Sequence, residues 1–178
     1  MTAAPNAPNK TTLLHNLALA YEQLGQLEKA RLVIERALTS GGSTDPQIQL
    51  EGAIIALRLA DYQTAKVRLS EARSLWTSTA PPAVWFHYAA QVAALTDDPD
   101  REMLLLSAAA EAHPESPVVL NNLAAAYLKR EDFTSARDAA EKGLAIAPEL
   151  PQLRRNLSAA LEGVAHADRA SGEPSRRS

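Results

Sequence analysis

Cysteine is absent from all 178 residues, so disulfides and thiolate zinc sites are excluded and no redox argument about compartment can be made. Aromatic residues make up only 4%, and β-branched residues are too sparse and scattered to suggest a sheet. No apolar run approaches the roughly 20 residues needed to span a bilayer, so no membrane insertion is expected. Met1 to Lys10 lacks the apolar stretch of a signal peptide and is rich in Pro, Ala and Asn. It reads as a short flexible lead, and a cytoplasmic location is the expectation that goes with it. Glycine is scarce and no phosphate-cradling loop is present; Gly41-Gly42 follows a helical segment and suits its C-terminal stop. The formal charge of −3 argues against a nucleic-acid binder.

What the chain does contain is alanine and leucine in helical register. Hydrophobic residues reach 46%, and these two lose little rotamer freedom in a helix and let helices approach closely. Apolar positions recur at helical spacing in each segment, so every segment has one face to bury. Asp45-Pro46, Asp98-Pro99 and Ser116-Pro117 each set a capping side chain before a proline at the first helical position.

The segments repeat. Leu14, Leu17, Ala18, Tyr21, Gly25, Leu27, Ala30, Ile34, Ala37 and Leu38 form one unit. Leu120, Leu123, Ala124, Tyr127, Glu131, Phe133, Ala136, Ala140, Gly143, Leu144 and Pro148 form a second copy. Tyr21 and Tyr127 lie 106 residues apart, three periods of 34 plus four residues that fall at Asp45 and at Ala80–Pro82. Two degenerate copies fill the gap, starting near Pro46 and Ala83. Five first helices carry an apolar residue at one matched place, Leu13, Ile48, Trp85, Val119 and Leu153, which should pack against a neighbouring repeat.

This pattern resembles the tetratricopeptide repeat, a 34-residue helix–turn–helix. The resemblance implies an all-α, right-handed superhelical solenoid of antiparallel helix pairs. Its units span about 11–44, 46–79, 83–116 and 117–150, with a capping helix at 151–168, which together make one domain from 11 to 168. Residues 1–10 stand as the flexible lead and 169–178 as a disordered tail. Three residues depart from the family pattern: Gln49 replaces a large apolar side chain, Glu102 a small alanine, and Glu131 the turn glycine.

Residues able to do chemistry are scattered. His15, His87, His113 and His166 lie far apart with no partner at metal-ligand or nucleophile–base spacing. Asp97, Asp98 and Asp100 lack the glycine and terminal glutamate of a calcium loop, and helix capping explains the last two. Asn9-Lys10-Thr11 and Asn156-Leu157-Ser158 match the glycosylation sequon only formally. Trp85 belongs to the core; Trp76, at a helix end, suits either a staple or an exposed contact. Neither an enzyme activity nor a cofactor or metal is expected.

The resemblance places ligand contacts on the first helix of each unit. Among the positions it implies, the peptide-binding candidates are Asn16, Glu51, Ile54, Arg58, Tyr88, Asn121, Asn122, Lys129, Arg155 and Asn156. Asn16, Asn122 and Asn156 share one repeat position, and an amide there can hold a peptide backbone through donor and acceptor together. Lys129 and Arg155 make the C-terminal half locally basic, suited to an acidic or carboxylate-ended peptide. Leu50, Ile54, Leu57, Val84, Tyr88 and Leu95 give an apolar middle. The lysines that grip chaperone tails in this family are missing, since Thr12, Gln47, Val84, Val118 and Gln152 stand in their places.

The expected function is an adaptor or assembly factor, with another protein's extended peptide or amphipathic helix as partner. The alternatives are a secretion-type chaperone shielding an apolar client and a self-assembling scaffold. Low lysine and high alanine content point to a bacterial source.

Overall fold

The computed structural model describes residues 9–77 and 79–171. Among them run nine α-helices: α1 Lys10–Gln23, α2 Leu27–Thr39, α3 Pro46–Arg58, α4 Tyr62–Leu75, α5 Ala83–Leu95, α6 Pro99–Ala112, α7 Pro117–Lys129, α8 Phe133–Ile146 and α9 Pro151–Ser171. A 3₁₀ turn, Gly42–Thr44, joins α2 to α3. Two compact units divide the chain, one through Asp97 holding α1–α5 and one from Asp98 holding α6–α9.

Helix starts follow the caps in the sequence. The carboxylates of Asp45 and Asp98 accept from the amides of Gln47 and Arg101, and the Ser116 hydroxyl accepts from that of Val119. Asp61 and Asp132 do the same for α4 and α8; the bond from the Thr64 amide holds the Asp61 carboxyl below its usual range. Asn9 caps α1 by accepting from the Thr12 amide at 2.8 Å, so the helix already includes Lys10, the last residue of the expected lead. At the other end α9 continues through Ser171, three residues past the expected bound, with the Arg169 guanidinium donating to the Ala165 carbonyl. Residues 1–8 and 172–178 lie outside the described residues.

Helices α1, α3, α5 and α7 end in the same way. One residue past each C-cap the backbone turns left-handed, at Gly25 (φ 71°), Ala60 (φ 59°), Asp97 (φ 55°) and Glu131 (φ 59°). Glu131 therefore adopts the glycine conformation although it is not glycine, at a steric cost of about 1 kcal/mol.

In the first unit, Ala18, Ala30, Ile34, Ala37 and Leu38 pack with Ile48 and Ile55 in one buried cluster. Gln49, only 3% exposed, has its buried amide satisfied. It donates to the Ser43 carbonyl at 3.0 Å and accepts from Arg68, which also grips both carboxylate oxygens of Glu35 at 2.8 Å. The departure from an apolar residue is thus matched by a network that ties α2, α3 and α4 together. Trp85 lies in the core as expected, donating its indole N–H to the Leu69 carbonyl at 2.9 Å. Trp76 is half-buried at the end of α4.

In the second unit, α9 closes over α8. Leu153 is 0% exposed, and a Cβ at Gly143 would meet its methyl groups at 2.7 and 2.8 Å. Glycine is required there by close helix approach. Of the five matched apolar residues, Ile48, Trp85, Val119 and Leu153 are buried. Leu13 is 54% exposed, because no helix of the described residues precedes α1.

Candidate functional site

Helices α1, α3 and α5 are the first helices of three successive repeats, and within the first unit they lie side by side. The 3.6-residue period sets Glu51, Ile54 and Arg58 on one face of α3. Glu22 reaches that face from the last turn of α1, and Tyr88 from the middle of α5.

Arg58 forms an ion pair with Glu22 and also donates to the Glu22 carbonyl at 3.3 Å, so α1 and α3 are tied at this point. Glu51 is half-buried, and its Oε1 is enclosed without a hydrogen-bond partner. Burial, then the Glu22 carboxylate, pushes the Glu51 pKa up to about 7, with Arg58 pulling weakly the other way. The Tyr88 hydroxyl is raised from its ordinary value, first by burial and then by Glu22 and Glu51. Its ring stands edge-on to His87 at 5.0 Å.

The expected apolar middle is narrower than the sequence implied. Ile54 and Tyr88 are half-buried and Val84 and Leu95 exposed, but Leu50 and Leu57 point into the core. Both sit one position off the exposed face, where helix rotation carries a side chain inward.

The second unit treats its polar positions differently. The Asn156 amide donates to the Asn121 carbonyl at 3.2 Å and to the Asn121 side-chain oxygen at 3.0 Å. Asn121 in turn donates to Asn122 at 3.5 Å. These bonds join α7 to α9 and occupy the donor that a peptide clamp would use. Of the three matched asparagines, Asn16 on α1 is exposed with no partner among the described residues.

The basic character expected at this end is reduced. Lys129 pairs with Glu102 at 3.0 Å, and this pair also explains a glutamate where the family favours alanine. Arg155 remains exposed and unpaired among the described residues.

The structure thus brings together Glu51, Ile54, Arg58 and Tyr88 in one unit, and Asn121, Asn122 and Asn156 in the other. Glu22 occupies one of the α1 contact positions that the resemblance implies, although it is not among the ten peptide-binding candidates. The signal for it was available: it precedes Arg58 by 36 residues, about one repeat, with opposite charge. Among the described residues, no group of three or more His, Asp or Glu could hold a metal ion, and no helix is long and apolar enough to cross a membrane.

Comparison with known proteins agrees with this architecture. No protein of curated function matches the sequence. A solved structure of MamA shares 17% identity at a TM-score of 0.74, covering 91% of this chain and 86% of that one. PilW, described as a widely conserved type IV pilus biogenesis factor, shares 20% at 0.72, covering 86% and 70%. YrrB, described as a TPR protein with an unusual peptide-binding site, shares 15% at 0.64, covering 87% and 83%. Tetratricopeptide repeat models match residues 11–40 and 118–147, the two units whose pattern is clearest in the sequence. With those two matches and this fold, the chain carries tetratricopeptide repeats within an all-α helical-repeat solenoid.

Proposed function

We propose that the chain is a protein-interaction or assembly module that holds a partner's extended peptide or helix against the first helices of its repeats. One observation carries this reading. Three successive first helices present Ile54 and Tyr88 beside charged groups, one of them a carboxylate with an enclosed oxygen not satisfied among the described residues. Such a surface offers apolar anchorage and an unused acceptor together. The solved structure of YrrB, described by its peptide-binding site, supports the reading by likeness of fold.

The test is site-specific photocrosslinking in lysate of the native host, read by mass spectrometry. A photoreactive residue at Asn16, at Ile54 or at Gln91, exposed on α5 three residues beyond Tyr88, is expected to capture a partner that the same residue at Glu28, Lys66 or Arg137 on the second helices does not. Capture only from the second-helix positions would overturn the reading.

A second reading, self-association, has its own observation. Leu13 and Leu17 are exposed on α1, although the matched residues in α3, α5 and α7 are buried. Sedimentation of wild type and Leu13→Glu/Leu17→Glu over a concentration series decides it: concentration-dependent assembly lost in the variant supports it, and a monomer throughout removes it.

A further inference from the structure

The Glu51 carboxylate is the least satisfied polar group of the first-helix face. Its Oε1 is enclosed, and neither carboxylate oxygen has a hydrogen-bond partner among the described residues. Buried carboxylates normally collect donors or a cation, because desolvation otherwise disfavours the charge.

Arg58, the neighbouring cation on α3, pulls on Glu51 only weakly and makes no ion pair with it. Arg58 directs its guanidinium to the Glu22 carboxylate and carbonyl. Around Glu51 stand Glu22 from α1, Arg58 on α3 itself and Tyr88 from α5. From α2 and α4, Glu35 and Arg68 are paired with each other beside Gln49. The pair Glu22–Arg58 is balanced, so Glu51, once ionised, leaves one uncompensated negative charge. The Tyr88 hydroxyl makes no hydrogen bond among the described residues, and its ring offers a face to a cation.

We infer that this face takes the lysine or arginine side chain of a partner protein, seated between α1, α3 and α5 with its charge on the Glu51 carboxylate, its donors reaching Glu51 and the Tyr88 hydroxyl, and its methylenes against Ile54. The inference rests on the proposed interaction role and names the chemistry of that site. It reverses the acidic-peptide preference expected from Lys129 and Arg155, since Lys129 is neutralised by Glu102. A long amphipathic side chain suits the place, because its stem can lie on apolar surface while its head meets the acceptor. Binding draws the proton off Glu51. The site is therefore strongest above pH 7 and weakens as pH falls through the Glu51 pKa of about 7.

The experiment uses the full chain and a labelled, end-capped dodecapeptide of three Ala-Leu-Lys-Ala blocks, read by fluorescence anisotropy at pH 8. Versions with norleucine or glutamate in place of lysine serve as controls. Wild type is expected to bind the lysine peptide about tenfold or more tightly than either control, the preference vanishing in Glu51→Gln. Loss of the preference as pH drops to 6, in wild type and not in Glu51→Gln, is the second expected signature. Equal binding of the three peptides, no measurable binding of any, or an unchanged preference in Glu51→Gln overturns the inference.

A third measurement does not depend on the variant. In carbon-detected NMR of labelled wild-type protein, the Glu51 carboxyl is expected to titrate near 7 alone and lower with the lysine peptide present; an identical titration overturns the inference. Crosslinked capture from Asn16, Ile54 or Gln91 together with a failed peptide preference would retain the interaction role and remove only the basic anchor.

Discussion

In the unit of α6–α9 the polar side chains of the first helices satisfy one another: Asn156 bonds Asn121, Asn121 bonds Asn122, and Lys129 meets Glu102. In the unit of α1–α5, among the described residues, the matching face keeps Asn16 unpartnered and leaves one oxygen of Glu51 enclosed without a donor. The first helices also differ in cover. Leu153 of α9 is fully buried, whereas its counterpart Leu13 on α1 is exposed. One repeat pattern thus yields a closed end and an open one. The lesson is that repeat position assigns a side chain to a face, while the neighbouring helix decides whether that side chain is spent inside the fold or left for a partner.

The sharpest way to break this comparison is to truncate the matched leucines. Leu153→Ala should destabilise by about 2–4 kcal/mol, through lost burial and the cavity left against α8, while Leu13→Ala should cost under about 0.5 kcal/mol. Urea denaturation of both variants checks it, and equal losses would end the distinction between closed and open ends.

Glu51→Gln comes next. The folded-state pKa of about 7 lies above the ordinary carboxylate value, so the native state holds the proton more tightly than the unfolded chain. Ionised Glu51 therefore destabilises: the penalty is absent below about pH 4.5 and fully present above about pH 7. Because Glu51 is only half-buried the effect is discounted, and the variant should gain about 1–2 kcal/mol at pH 8 and nothing at pH 4.5. Denaturation midpoints at the two pH values provide the measurement.

The amides give a smaller contrast. Asn156→Ala should cost about 1 kcal/mol by removing its bonds to Asn121, and Asn16→Ala should leave stability unchanged. The smallest effect is one that both units should share. Ala60→Gly and Glu131→Gly relieve left-handed backbone and should each stabilise by about 0.5–1 kcal/mol. A thermal-melt gain in one unit alone would show that the two turns are not equivalent.

Much of the architecture was legible in the residues. Apolar spacing, the caps Asp45, Asp98 and Ser116, and the matched Ile48, Trp85, Val119 and Leu153 give helices where they are found, because these signals act within one helix or between adjacent ones. The three departures were visible but their resolution was not. Gln49 is completed by Arg68 and Ser43, Glu102 by Lys129, and Glu131 by bending into the conformation a glycine would take. The site was legible only as a face. Leu50 and Leu57 belong to the core instead, since one position of helical rotation separates an inward side chain from an outward one.

What the sequence determined by itself is the run of paired helices and the set of positions that share the first-helix face, both consequences of period and local capping. Only the tertiary structure decided which members of that face remain available. Donors for Asn121, Glu102 and Glu22 come from helices about one repeat away, and among the described residues none reaches the enclosed oxygen of Glu51. Satisfaction of a polar atom depends on distances across packed helices, which periodicity along one chain does not specify.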